Sequence, residues 1–588
     1  MPASPHPLRL HFALVTLLLA MPLAARAQAS AAPAASAPTR LDRVEVTGER
    51  AGDTEQRRQS TAAKIIIGRD EIERYGDSTV GELLKRLPGV TIQGAPGRGG
   101  AIRLRGLGGG YTQILLDGER VPPGVSLDSL APEQIERIEI LRAPTAETGA
   151  RAIAGTINIV TREAYRKRIN DLRVGGALEN GRLQSGASWT RNDGVGAWTH
   201  NLSLTAFHRD RDGDSVTTTT DERLADGATT LAQSEHERSR ERGDGLHGSA
   251  RLQWRGDKGE VLTLAPFVVH SDAHTRRNAR LQQSTGGSAP PYDRADADTD
   301  GRFTLLRLNA QWNHRLGEDT RLEWRGGVGD SHSVNHTLRH EFDAANTLTR
   351  TLDDRADVRD RSASLSAKLS RLMADEHSGV AGAEAERTRR REGRRTLQDG
   401  APLLADFGEN LSASTSRFAL YVQDEWNPTP HWAANAGLRW EGITTRGDAE
   451  DGGTQSNRSS VWTPLAHAVW KPDPKGRDQV RISLTRSYRA PTLPDLIARP
   501  SISTRFPLPG PNSPTAPDRA GNPGLRPELA RGIDLAIERY LQGGGLLSAN
   551  LFRRELRDTI RNLTALETVP WSSDPRWVSR PQSVGDAV

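Results

Sequence analysis

Several stretches of this sequence carry residue types that hold ions or steer charged solutes. Asp296, Asp298 and Asp300 stand two apart before Gly301, like the front half of a Ca²⁺ loop, which needs closely spaced oxygens and a sharp glycine turn. The closing bidentate Glu would fall at position 307, which is Arg307. A solvated loop is the better reading there, and Asp210, Asp212 and Asp214 take the same one. Gly106 to Gly110 has the glycine density of a phosphate cradle, but no Lys-Ser/Thr follows and no helix opens. Charges crowd between Glu384 and Arg395; a solvated rim accounts for them, and Arg389, Arg390, Arg391, Arg394 and Arg395 could steer an anionic chelate from a distance. No Ser/His/Asp or paired-carboxylate arrangement suits catalysis, so the residues give an enzyme reading no support and call for no cofactor.

The elements that position these residues are mostly strands. From about Leu172 onward apolar residues recur every second position, most clearly at Trp432, Ala434, Ala436, Leu438 and Trp440, with Ala433, Asn435, Gly437 and Arg439 between them. Each such run is a strand with one apolar and one polar face. Between Trp254 and Leu547 short turns alternate with long polar connections: 255–259, 314–319, 372–377, 427–431, 471–478 and 541–545 are short, while 271–301, 331–360, 387–414, 442–459 and 489–531 are long. An up-and-down barrel in an outer membrane sorts its loops this way, with short periplasmic turns and longer extracellular loops. All 12 Trp lie between Trp189 and Trp577. Trp426, Trp432 and Trp470 flank short turns, where an amphipathic indole settles at the headgroup level.

Composition narrows the classes further. The chain has 588 residues, 79 Lys+Arg against 74 Asp+Glu, 57 Gly and no Cys. Mean hydropathy is −0.60, and the longest apolar run, Phe12 to Leu23, is broken by Thr16 and Pro22. Transmembrane helices, which need about 20 consecutive apolar residues, are excluded, and a transmembrane β-barrel is not. The net charge of +5 gives no support to nucleic-acid binding. Arg9 and His11 ahead of the apolar run, with Ala25-Arg26-Ala27 behind it, predict an export signal over residues 1–27. An Ala/Pro/Ser-rich tether, 28–40, follows. A compact α/β unit comes next: Thr79 with Glu82 forms a capping box opening a helix with Leu83, Leu84 and Leu87, ended by Pro88-Gly89, and short β-prone runs surround it.

Five segments of that unit resemble the plug of the TonB-dependent outer-membrane receptors. They are Leu83-Leu84 to Pro88-Gly89-Val90, Ile102 to Gly106, Leu115-Leu116-Asp117-Gly118, Ile135 to Pro144, and Gly155 to Thr161. Ala143, where the family usually has Gly, and Glu147-Thr148-Gly149, where an aromatic often precedes the Gly, are departures. Tyr421 to Trp426, Tyr488 to Leu493 and Asn522 to Glu528 resemble barrel segments of the same family.

The resemblance implies a mainly β protein, a transmembrane antiparallel barrel of 22 strands with an N-terminal α/β plug inside its lumen. It implies a plug over 48–163 and a barrel over 164–588. About 15 strands are countable from Leu172 to Leu556, so a C-terminally truncated receptor is expected. Asp42, Arg43, Val44, Glu45, Val46 and Thr47, in the segment 41–47, resemble the coupling box on which TonB and its inner-membrane energising complex act. Physically, the segment is a short β-prone run able to add to a partner's sheet edge. Arg105 and Arg142 are implied to meet barrel carboxylates such as Glu425. The implied function is uptake of a scarce bulky ligand, a ferric siderophore before cobalamin, oligosaccharide or haem. For haem, the interval Thr492 to Gly521 lacks the His that such members place there. The rival reading is a non-transporting remnant or surface-binding protein.

Overall fold

In the computed structural model, residues 57–588 are described apart from short stretches, of which 94–100 and 121–134 are the longest. The predicted signal, tether and coupling segment lie outside the described residues.

The N-terminal unit is built on strands β1 (Lys64–Gly68), β2 (Val90–Gln93), β3 (Ala101–Leu104), β4 (Thr112–Leu116), β5 (Glu119–Arg120), β6 (Ile135–Leu141) and β7 (Gly155–Thr161), with helices α1 (Arg69–Tyr75) and α2 (Val80–Lys85). Five strands pair in the order β1-β6-β7-β4-β5, and β2 and β3 form a separate pair. Only the β4–β7 ladder within the five-stranded sheet is parallel. Asp117 and Gly118 join β4 to β5 with φ of 52° and 83°; this two-residue left-handed turn is the one Asp-Gly favours in hairpins. Leu83 and Leu84 of α2 pack on Ile138, Ile140, Ile157 and Ile159 in an apolar core, and Gly89, at φ 77°, lets the chain leave the helix.

The rest of the described chain is one long antiparallel sheet. Its strands are β8 (Ile169–Glu179), β9 (Arg182–Val195), β10 (Trp198–Glu222), β11 (Thr229–Arg255), β12 (Val261–Thr285), β13 (Arg294–Arg315), β14 (Thr320–Phe342), β15 (Leu348–Leu372), β16 (Ser378–Gln398) with the short β17 (Ala401–Leu403) at its tip, β18 (Asn410–Thr429), β19 (Trp432–Asp448), β20 (Thr454–Trp470), β21 (Gln479–Arg489), β23 (Glu528–Tyr540) and β24 (Leu546–Arg557). Between β21 and β23 lie α3 (Leu493–Leu496) and β22 (Asp518–Arg519); β25 (Thr559–Glu567) and β26 (Arg576–Val584) pair with each other, and β26 also pairs with β22. The main path therefore holds 15 strands from β8 to β24, and among the described residues no ladder joins its two ends.

This sheet is apolar outside and charged inside. Along β23, Ile533, Leu535 and Ile537 are exposed while Asp534, Ala536 and Glu538 are buried. That inversion suits hydrocarbon around the sheet and a polar interior. Aromatic residues mark two levels on the outer face. Trp432 faces Trp470 beside a short turn, and Trp440 faces Trp462 eight residues higher. At about 3.4 Å per residue and a tilt near 40°, the levels are roughly 21 Å apart, close to the height of an apolar band.

The long connections differ from their expected form. Segment 271–301 is mostly strand, with β12 running to Thr285 and β13 starting at Arg294; 331–360 and 387–414 behave likewise. Beyond the apolar band these strands are polar on both faces, so they show no period-two hydrophobic signal. Cross-strand pairs accompany the ladder instead, such as His274 with Asp300 at 2.8 Å and Arg276 with Asp298 at 3.0 Å. The Asp triplets sit in these extensions, and among the described residues no group of three or more His, Asp or Glu is arranged to hold a metal ion. The segment 490–527 is a true loop, folded with the β25–β26 hairpin around a small core that includes Trp571 and Val578.

Candidate functional site

The N-terminal unit is tied to the sheet interior by charged and polar contacts. The densest set surrounds Arg151, which follows the turn at Gly149. Its guanidinium donates to both Glu386 carboxylate oxygens, at 2.7 and 3.1 Å. Arg417 bridges Glu384, Glu386 and Glu441 at 2.6 to 2.9 Å, and Arg439 reaches Glu384 at 2.6 Å and Glu441 at 2.7 Å. Tyr488 donates its hydroxyl to Glu441 at 2.6 Å. Three guanidinium groups thus face three carboxylates, a balanced set in which forked Arg pairing satisfies several oxygens at once.

Backbone contacts seat the loop before Arg151. Arg439 donates to the Ala146 carbonyl at 3.1 Å, the Ala146 N–H donates to Gln423 at 3.0 Å, and His467 contacts the Pro144 carbonyl at 2.9 Å. The Tyr488 N–H donates to the Ala150 carbonyl at 2.8 Å. Gly437 makes this approach possible, since a Cβ there would lie 2.8 Å from the Ala146 Cβ. Lys368 adds an ion pair to Glu147 at 2.8 Å.

A second anchor lies at residues 57–61. Arg57 pairs with Glu538 at 2.6 Å, and Arg481, itself paired with Glu538, donates to the carbonyls of Arg57 at 2.8 Å and Thr61 at 3.2 Å. Nearer the long-connection side, the Tyr111 hydroxyl donates to Glu528, which Arg489 also holds.

The residues singled out from the sequence fall in this interface. Arg105 lies 2.8 Å from Asp534, which Arg554 also binds at 2.6 Å. The Arg105 contact is an ion pair by proximity and too poorly angled for a hydrogen bond; its guanidinium also lies over the Phe552 ring at 4.7 Å. Arg142 has Arg57, Glu538 and Asp534 as its charged neighbours, and its N–H donates to the Ala63 carbonyl. Glu425, the example named for these arginines, instead accepts from the Thr61 hydroxyl and has Asn435 and Arg481 beside it. The segment Asp42 to Thr47 lies outside the described residues.

Sequence reasoning missed Arg151, Glu386, Glu441, Asp534 and Glu538. A usable signal existed: each of these carboxylates occupies the polar face of a strand whose other face is apolar, where a charge must find a partner inside.

An α/β unit fastened by ion pairs inside an inverted antiparallel sheet defines a plugged membrane barrel, and comparison with known proteins agrees. Residues 253–588 match the family model for the TonB-dependent receptor-like β-barrel, and residues 56–156 match that for the TonB-dependent receptor plug domain. The chain belongs to the TonB-dependent receptors. It is similar to the iron-regulated outer membrane virulence protein of Vibrio cholerae, with 24% identity over 89% of this chain and 70% of that one. It is likewise similar to the ferric enterobactin receptor of Pseudomonas aeruginosa, with 24% identity over 86% and 69% of the two chains. Among solved structures, a siderophore receptor of Pseudomonas aeruginosa shares the fold at a TM-score of 0.52 and 16% identity, over 89% of this chain and 79% of that one.

Proposed function

We propose that this receptor imports a ferric siderophore across an outer membrane, and that a TonB-type partner opens it by pulling on the segment around Val44. The observation that carries the reading is the chemistry of the plug interface. Charge pairs and single hydrogen bonds hold the plug alongside small apolar contacts, Ala146 with Tyr421 and Leu465, and Ile153 with Ala530 and Leu556. Water can replace such contacts one by one when force is applied, so the plug can shift and return.

The ligand class is supported by charge. Arg120 ends the short β5 hairpin, where its carbonyl accepts from Arg307 at 2.9 Å, and its exposed guanidinium has no ion-pair partner among the described residues. The cations Arg151 and Arg417 are close enough to influence it, as is the carboxylate Glu386, which is itself already held by both. A guanidinium held beside like charges is well suited to receive an anionic chelate. The relatives named for iron regulation and ferric enterobactin point the same way.

Uptake of radiolabelled ferric chelates, compared in cells with and without this protein, tests the proposal. Energy-dependent accumulation that falls with Arg120→Gln is expected. Equal accumulation in both strains for every anionic chelate tried would overturn it.

A further inference from the structure

The charged run from Glu384 to Arg395 is divided by the pleat of β16. Glu384, Glu386, Arg390 and Arg394 face inward, where they pair with Arg439, Arg417, Asp360 and Asp354. Arg387, Arg389 and Arg391 face outward and are exposed. A steering role toward the lumen therefore does not fit Arg389 and Arg391, which stand with Arg387 on the opposite side of the wall.

Their neighbours are specific. In register, Arg387 lies opposite Ser416, Arg389 opposite Ser414 and Arg391 opposite Ser412. One strand further, Ser416 faces Thr444 and Ser414 faces Arg446; then Thr444 faces Arg458 and Arg446 faces Ser456. Arg387, Arg389, Arg391, Arg446 and Arg458 have no carboxylate partner among the described residues. On β11 to β13, by contrast, most outward cations are matched, as in Arg240 with Asp210, Arg276 with Asp298 and Arg302 with Asp272, with Arg280 the exception.

The height of the patch is set by the residues below it. Leu365, Phe418, Leu420, Val422 and Trp462 are exposed on the outer face, from 45% for Phe418 to 58% for Val422, so they form uncovered apolar surface. Phe418 and Trp440 meet edge to face at 6.2 Å, at the upper aromatic level. Gly442 and Ser460 stand in register with Phe418, and the next outward residues above them are Arg387, Ser416, Thr444 and Arg458. Aromatic residues mark the boundary between hydrocarbon and headgroups. The patch spans roughly 14 Å along β16 and roughly 14 Å across from β16 to β20, by ordinary strand spacings.

We propose that this outward Arg/Ser surface binds the phosphorylated saccharide headgroup of an outer-leaflet glycolipid. Forked guanidinium groups with adjacent hydroxyl donors match phosphate oxygens, and a site this wide engages more than one phosphate on a single headgroup. The proposal rests on the membrane-receptor reading above, with the long connections outside.

The test places the purified full chain in phosphatidylcholine nanodiscs doped with bisphosphorylated lipid A, with monophosphorylated lipid A, or with phosphatidylglycerol at equal charge, and measures retained lipid by mass spectrometry. Bisphosphorylated lipid A is expected to be enriched around the wild type. The triple variant Arg387→Gln, Arg389→Gln, Arg391→Gln should lose at least about tenfold of that enrichment, while the matched-face control Arg238→Gln, Arg276→Gln stays within about twofold. Arg389→Lys, which keeps charge but loses the fork, should fall between them and covers a triple variant that fails to fold. Equal enrichment of phosphatidylglycerol, equal loss in the control, or full displacement by inorganic phosphate would overturn the proposal while leaving the transport reading intact. Failure to enter neutral nanodiscs at all would overturn both.

Discussion

Arg151 of the plug and Glu386 of the barrel wall meet through two hydrogen bonds, at 2.7 and 3.1 Å, with the second carboxylate Glu441 at 3.8 Å from the same guanidinium. This pair joins the plug to the barrel wall within a charge cluster whose other members, Arg417, Arg439, Glu384 and Glu441, belong to the barrel, and Arg439 also donates to the plug's Ala146 carbonyl. Removing Arg151 leaves excess negative charge in a place with little water.

Arg151→Ala should therefore loosen the plug more than Arg142→Ala. Breaking a buried pair by deleting one partner costs about 3–5 kcal/mol, and Glu386 and Glu441 would be left against Arg417 and Arg439 alone. Arg142 has only longer-range charged neighbours, so its removal should cost less. Entry of a bulky antibiotic through the barrel in intact cells is the readout. The expected order is Arg151→Ala above Arg142→Ala above wild type; the reverse order of the two variants would show that the cluster does not hold the plug.

The loop cap should respond to acid. Asp518 is buried, and burial alone raises a carboxyl pKa. That effect is outweighed by the forked Arg576 contact at 2.9 Å on each oxygen, the Ser503 N–H and the Trp571 indole N–H, so its pKa lies below the ordinary value. A carboxyl lowered by folding stabilises above its unfolded pKa, and that stability disappears as pH falls through the folded one. The cap should hold from neutral pH to about pH 4 and loosen below it. Asp518→Asn should be looser at neutral pH and lack this acid step, measured by proteolytic nicking within 490–527.

Val44→Pro should abolish energised uptake without weakening ligand binding. A strand that adds to a partner's edge needs its backbone N–H groups, and proline removes one and fixes φ. Chelate binding to intact cells and accumulation inside them separate the two effects. Loss of both together would place Val44 in folding or ligand contact instead.

Much of the fold was legible because membrane strands advertise themselves. Trp432 to Trp440 alternates cleanly, since one face meets lipid and the other the lumen, and the 15 strands follow from that period. The extended upper halves of β12 to β16 were not legible, because a strand wet on both faces has no hydrophobic period and reads as loop. At the interface, Arg105 was visible as an arginine within a plug motif. Its partner Asp534 was not, because the stagger between distant strands decides which carboxylate reaches which height, and no local pattern encodes it. The division of the Glu384 to Arg395 run into inward and outward sets needed the register as well.

Transport by this receptor should require the plug to move relative to the barrel wall. The chain contains no Cys, so a disulfide between Ala146→Cys and Gly437→Cys would be its only one. A Cβ at 437 lies 2.8 Å from that of Ala146, inside the usual disulfide separation of about 3.8 Å, so a small outward shift suffices. Uptake of the labelled ferric chelate should be blocked in the oxidised double variant, return on reduction, and persist in each single variant, with surface binding unchanged throughout. Undiminished uptake by the fully oxidised double variant would contradict the account.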